Sequence, residues 1–369
     1  MTSVSKFRRF KPPKITAEAI GTSPLTPSPL LHVSADDFAP YPAPTHRDDH
    51  AAQFALDVQT FDQFRRYFFT PVARRAIVLV PLGALEIDTS ILLAFVRAFF
   101  PTVTFDLHQP VDVEALGIRH RVAHPFCVDK YVENHRQYAV DAFVNVLQRI
   151  RSTRGKENVM CVVGLTMLDL HMDATDEFVM GCADQKAGIG IFSFARYSAT
   201  FEERAVRAEF HTSPFSDKAA TQAECLKRLT IAAFKTLTHE ILHLFGVDHC
   251  AWSACLMNGS GRLQEDLTIP MFLCPVDLHK LAFALHENGG VDLVERYRQM
   301  ANVLRRVVGA DEEVRWLETR IARANEDGVD GRAVRHASTA LSSREARALK
   351  RRMLTTPRTK RDETQTEVD

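Results

Sequence analysis

Short solid runs of apolar residues alternate along this chain with stripes at helical spacing. Residues 76–82 (AIVLVPL) are rich in β-branched side chains and predict a buried strand. Residues 86–100 predict a helix that stops at Pro101, because proline cannot continue one. Polar and apolar positions alternate over 102–107, the mark of a half-buried strand. Residues 129–150 read as an amphipathic helix, and 159–165 (VMCVVGL) as a second buried strand with Cys161 as a small core residue. A short helix is expected over 54–69 and a further strand over 188–194. Strand, helix, strand, helix, strand is the order of an α/β unit with helices laid against a sheet.

The longest helical stripe runs over 218–245. Leu226, Leu229, Ala233, Leu237, Ile241 and Leu244 recur on one face and predict its core side. A short helix follows at 278–286. Residues 291–326 are helical in pattern and strongly charged, which suggests a helical appendage. The start of the chain is rich in proline (TSPLTPSP, APYPAPTH), which removes backbone donors and blocks helix interiors. The expected organisation is therefore an extended, mostly disordered proline-rich arm over 1–50, a main domain over 51–290, a helical appendage over 291–328 and a basic, disordered tail over 329–369.

The chemistry concentrates in HEILHLFGVDH, residues 239–249. His239 and His243 are four apart, so on a helix they share a face and can address one metal ion. Glu240 is rotated about 100° from His239 by the helical period, which places it beside the ion without ligating it. Gly246 suits the left-handed residue that ends a helix, and the chain can then return His249 as a third ligand. Three imidazoles and an open fourth position is the donor set of a catalytic zinc. Glu240 is then the candidate catalytic residue, a general base toward water and afterwards an acid toward the leaving amine. Met257 follows in a position that resembles the methionine turn of the metzincins, which implies a structural floor under the metal and not a ligand.

These residues resemble the metzincin signature, and with Cys250 directly after the third histidine they resemble the archaemetzincin family in particular. GLTMLD at 164–169, FVMG at 178–181 and GIGIFSFARY at 188–197 resemble the same family's edge-strand region. The resemblance extends over roughly residues 76–285. It implies an α/β, metzincin-like fold: a mixed twisted sheet with an edge strand lining the cleft, a long active-site helix, a Met-turn and a helical C-terminal part. The edge strand is expected at 188–194, where an extended peptide could pair with it. The resemblance also implies a zinc metallopeptidase, an aminopeptidase or oligopeptide-cleaving enzyme. A catalytically silent, zinc-stabilised peptide-binding module is the alternative, and the intact Glu240 argues against it.

The family pattern continues through Cys255 and Cys274 to a final CxxC. Here the spacer after Met257 is one residue short, and Asp277 stands where the last cysteine would be. The resemblance implies a second, structural zinc on Cys250, Cys255 and Cys274. Asp277 or, two residues on, His279 would be the fourth ligand; an empty site with buried thiols is the other outcome. His108, His120, His124 and His135 are irregularly spaced and favour packing or surface roles.

Composition narrows the remaining choices. The chain has 369 residues, 46% of them apolar, enough for one sizeable core. Lys plus Arg and Asp plus Glu are equal at 46 each, which argues against a global nucleic-acid or membrane-surface role. The basic stretch at 332–361 is the one exception to that balance. No apolar stretch approaches the roughly 18 residues of a membrane span. The basic start runs into prolines instead of an apolar segment, so no secretory signal is expected. Seven cysteines, three of them around the metal helix, fit thiolates in a reducing compartment better than disulfides. The expected location is cytoplasmic, with a nuclear fraction possible, and the expected partner is a peptide or protein substrate.

Overall fold

The computed structural model describes residues 12–22, 38–54, 58–67, 76–122, 136–155, 157–172, 178–199, 201, 221–286 and 290–326. In chain order the helices are α1 (Ala17–Ile20), α2 (His50–Gln53), α3 (Phe61–Tyr67), α4 (Thr89–Phe99), α5 (Asp141–Arg154), α6 (Gln222–Leu244), α7 (Leu263–Thr268), α8 (Pro275–Ala284), α9 (Leu293–Leu304) and α10 (Asp311–Glu326). The strands are β1 (Ala76–Leu82), β2 (Thr104–Leu107), β3 (His120–Val122), β4 (Arg136–Ala139), β5 (Val159–Thr166), β6 (Asp169–His171), β7 (Gly181–Asp184) and β8 (Ile189–Ser193). This is a mixed α/β fold, as the order of patterns along the chain implies.

The main sheet runs β2-β1-β5-β8-β7. The first four strands are parallel and β7 closes the sheet antiparallel to β8. Strand β1 shows why the sheet needs cover on both faces. Ile77 and Leu79 enter the larger core, while Val78, Val80 and Leu82 enter the smaller one on the opposite face. Phe143 and Leu147 of α5 fill the smaller core. The larger core is filled by α4, α6, α8 and α9, with Phe95 of α4 stacked on Phe234 of α6 at 4.1 Å between ring centroids.

Three sequence expectations change. Strand β8 is interior, hydrogen-bonded on both sides, and the edge is β7. Its sequence GCAD has no β-branched or aromatic residue, so nothing in its pattern announces a strand. Residues 136–139, expected in a helix over 129–150, form β4 between β3 and β6. Gln137 is buried there and donates to Asp169 across the strand pair at 2.7 Å, a partner no helical pattern reveals. The helix starts at Asp141; residues 129–135 lie outside the described residues. Leu226, placed on the core face of α6, is 52% exposed, because the first turns of that helix stand clear of the core.

The proline-rich start is partly packed. Thr16 caps α1, and Ala19 and Ile20 are buried against Phe61 and the helix α8. The two helices of the charged segment 291–326 likewise share the larger core. Arg296 is buried with its Nε donating to the Phe99 carbonyl at 2.7 Å, and Trp316 stacks on Phe272 at 3.8 Å. Apolar residues spaced among charges, not the net polarity, decide whether such a segment packs. The basic tail over 329–369 lies outside the described residues. No described helix is long and apolar enough to cross a membrane.

Candidate metal centre

Helix α6 begins with a capping box: Thr221 accepts from the Glu224 N–H and the Glu224 side chain accepts from the Thr221 N–H. It ends in a Schellman turn. The Val247 N–H donates to the Leu242 carbonyl at 3.0 Å and the Gly246 N–H to the His243 carbonyl at 2.8 Å, with Gly246 at φ 89°. That turn sends the chain back so that His249 meets the helix. The ring centroids of His239 and His243 lie 4.6 Å apart, those of His243 and His249 4.8 Å, and those of His239 and His249 5.4 Å. One nitrogen of each ring lies within 4.8 Å of the other two.

The surroundings set the tautomers. His239 Nδ1 donates to the Leu256 carbonyl at 2.8 Å and His243 Nδ1 to the Val247 carbonyl at 2.7 Å. A carbonyl can only accept, so both Nδ1 atoms carry the proton and both Nε2 atoms present lone pairs. Those two Nε2 atoms face each other at 2.9 Å, and neither has a proton to give. Burial, and then the charge of neighbouring imidazoles, pushes all three histidines down to about 3, so they stay neutral. Converging lone pairs on neutral rings are satisfied by a cation, and tetrahedral zinc would space its nitrogens by about 3.3 Å, from a bond of about 2.0 Å. The residues present fit the metal.

Glu240 directly follows His239 on α6 and is half-buried. Burial, and then the Asp266 charge, pushes its carboxyl up to about 8. Asp266 in turn accepts from the Tyr197 hydroxyl at 2.7 Å, and Lys235 donates to the carbonyls of Asp266 and Ile269 at 3.0 Å each. These contacts tie α7 to the buried back of α6. Met257 is buried directly after Leu256, whose carbonyl holds His239, and its own carbonyl accepts from the Cys250 N–H at 2.7 Å.

The second group also assembles. Cys250, Cys255, Cys274 and Asp277 each place a ligand atom within 4.8 Å of the others, and all four are buried. The Cys250 and Cys274 sulfurs are 3.7 Å apart, close to the spacing of about 3.8 Å that two thiolates take around tetrahedral zinc with bonds of about 2.3 Å. Asp277 Oδ2 lies 3.2 Å from the Cys255 sulfur and 3.6 Å from that of Cys274. His279 is not part of this group. Its Nδ1 donates to the Ile20 carbonyl at 2.7 Å, and its ring stacks on Phe61 at 3.5 Å. Two residues along a helix is a rotation of about 200°, so Asp277 and His279 cannot face the same point.

Two residues that hold the centre were not singled out from the sequence. Asn258 is buried and donates to the carbonyls of Cys250 and Ser253 at 2.8 and 2.9 Å, while its Oδ1 accepts from the Cys255 N–H. Gln59, from the segment before the main sheet, donates to the Gly246 carbonyl at 3.1 Å and to Asp248 at 3.0 Å. The Asn258 position directly after Met257 was the one available signal; Gln59 gave none. Asp169 lies in β6 and pairs with Arg196 at 2.8 Å. Among the described residues no other histidine joins a metal-ligating group; His124 and His135 lie outside them.

Two histidines on one helix, a third returned to them by the turn that ends it, a glutamate directly after the first histidine and a buried methionine after the third together define a metzincin-type metallopeptidase. The family model described as Peptidase family M54 matches residues 120–282. Human archaemetzincin-2 is 32% identical over 277 residues, which is 70% of this chain and 69% of that protein. Human archaemetzincin-1 is 31% identical over 185 residues, 46% of this chain and 36% of that one. A solved archaemetzincin from Archaeoglobus fulgidus superimposes with a TM-score of 0.37 at 18% identity, covering 56% of this chain and 99% of that one. The chain belongs to the archaemetzincin family. It is thus a zinc-dependent peptidase by family, and its substrates are peptides or proteins.

Proposed function

We propose that this chain hydrolyses peptide bonds at the centre formed by His239, His243 and His249, with Glu240 as its general base. The observation that carries this reading is the pair of unprotonated Nε2 atoms facing each other at 2.9 Å, with Glu240 next to the first of these histidines on the same helix. Zinc, when held there, would supply Lewis acidity that polarises the scissile carbonyl and acidifies a water. The chain's own residues do the rest. The Leu256 and Val247 carbonyls keep His239 and His243 in the tautomer that points lone pairs inward. Beside a bound cation the Glu240 carboxyl would ionise despite its burial, and so would take a proton from the water and return it to the departing amine, one group serving as base and then acid. The outer side of β7 ends the main sheet, so an extended peptide can add there as a further strand. Cleavage of short peptides, or of residues from a peptide's amino end, is the expected activity.

The second group is assigned as a structural zinc site with ligands Cys250, Cys255, Cys274 and Asp277. Four protein ligands leave no open position, which is the mark of a structural site. Such a site would pin the loop that carries His249 and Met257 to the start of α8. The six described cysteines form no disulfide, which supports a reducing compartment such as the cytoplasm.

The test is digestion of a mixed peptide library by the zinc-loaded protein and by Glu240→Gln. The wild type should cut, and the variant should keep its zinc and lose about 10²–10⁴-fold in rate. Should both leave every peptide whole with zinc bound, the chain is a binding module and not an enzyme. Metal counting addresses the second site. Two zinc ions per chain are expected, falling to one in Cys274→Ser.

A further inference from the structure

A ladder of three rings leads from the metal centre to the surface. His249 is met edge-on by His50, with ring centroids 4.9 Å apart at 80°. His50 is met in turn by Phe54 at 5.0 Å. Phe54 is 56% exposed, so the outer end of the ladder is open to solvent. The Nδ1 atom of His50 is buried and has no hydrogen-bond partner among the described residues. Such an atom takes a water or a polar group, such as the backbone N–H of a bound peptide, as its partner.

The position of this segment is built. Asp49 is buried and accepts from the N–H groups of Thr45 and His46 at 2.6 and 2.8 Å, and it pairs with Arg262. The His50 N–H donates to Glu265 at 2.8 Å, and the same carboxylate oxygen accepts from the Gly261 N–H at 2.7 Å. The loop after Met257 has glycines at its two closest approaches to this segment. A Cβ at Gly259 would stand 2.5 Å from the His50 ring, and one at Gly261 would collide with the Asp48 carbonyl oxygen. Two glycines in four residues therefore let residues 45–54 close on the metal loop. A wall held at both its carboxylate and its backbone is rigid before anything binds, which is what a binding subsite needs.

We propose that His50 and Phe54 form one wall of a substrate subsite that takes an apolar or aromatic side chain flanking the scissile peptide bond. The inference rests on the peptidase reading and adds to it the chemistry of the substrate residue. The ring faces give that side chain area to cover and stack against. A single methylene in an apolar pocket already discriminates about 10–200-fold.

The experiment uses the zinc-loaded full chain carrying Glu240→Gln, so that peptides bind without being cut. Calorimetry compares a set of short peptides that differ only by phenylalanine or glycine at each position in turn. At one position phenylalanine should improve affinity about tenfold or more, and adding Phe54→Ala should erase most of that ratio while zinc content stays unchanged. His50→Ala should also lower it, with the metal count showing that the triad persists. If the peptides bind but no position favours phenylalanine, or if Phe54→Ala leaves the ratio intact, the subsite is wrong and the peptidase reading stands. If no peptide binds the zinc-loaded protein at all, the peptidase reading falls and takes the subsite with it.

Discussion

The Lys280 ammonium lies 2.8 Å from Oδ1 of Asp277, and both groups are shut away from solvent. Oδ2 of the same carboxylate faces the sulfurs of Cys255 and Cys274. One oxygen is thus held by a fixed cation and the other is turned to the thiols. Burial pushes the Asp277 carboxyl up to about 6, although the Lys280 charge acts the other way. A carboxylate replacing a thiolate in a buried site becomes workable when a neighbouring ammonium offsets its charge.

Lys280→Met would leave that carboxylate without its counter-charge. Breaking a buried pair from one side costs about 3–5 kcal/mol, so urea unfolding should show a loss of that order. Asp277→Cys should make a four-thiolate set that holds zinc more tightly against a chelator. In cobalt-loaded protein it should also strengthen the thiolate-to-metal absorption. An unchanged cobalt spectrum would remove residue 277 from the ligand set.

Gln59 governs the third histidine. Its side chain bonds to the residues on either side of Val247, so it fixes the turn that returns His249. Each such hydrogen bond is worth about 1 kcal/mol. Gln59→Ala should therefore weaken zinc retention at the histidine centre about tenfold or more in competition with a chelator, with little change in the cysteine site. Equal retention by both proteins would show that the loop holds itself.

The rigidity of α6 depends on Phe234, which stacks on Phe95 with only 2° between the rings. Phe234→Ala should cost about 3–5 kcal/mol, the usual range for removing a buried aromatic ring. A leucine replacement should recover part of it. A loss under about 1 kcal/mol in urea unfolding would mean that the two helices repack.

Asp49 links acid stability to the segment beside the metal loop. Burial alone would raise its pKa. The Arg262 hydrogen bond and the N–H groups of His46 and Thr45 outweigh that, and hold it below 3.8. A depressed carboxyl contributes stability above its unfolded pKa and loses it as pH falls through the folded value. The melting-temperature gap between wild type and Asp49→Asn should therefore stay constant from neutral pH to about 3.9 and shrink below it. A gap that persists unchanged in stronger acid would mean that the Asp49 charge does not support the fold.

The sequence by itself determined the parts whose logic is local. The strands over 76–82 and 159–165 were legible because runs of β-branched residues have little else to do. The metal helix, its histidines and its glycine stop were legible because ligation demands a fixed spacing along one helix. Charge, cysteine usage and the methionine after the third histidine added to the same picture.

Only the tertiary structure decided what depends on distant pairings. It made β7 the edge and β8 an interior strand, since neighbours in a sheet are set by the whole topology. It chose Asp277 over His279, because helix rotation turns one toward the thiols and the other toward Ile20, 259 positions away. It brought His50 against His249 and bonded its backbone to Glu265 across 215 positions. Periodicity reports which face of an element is apolar; it carries no record of what that face will meet, because that contact exists only once the chain has closed.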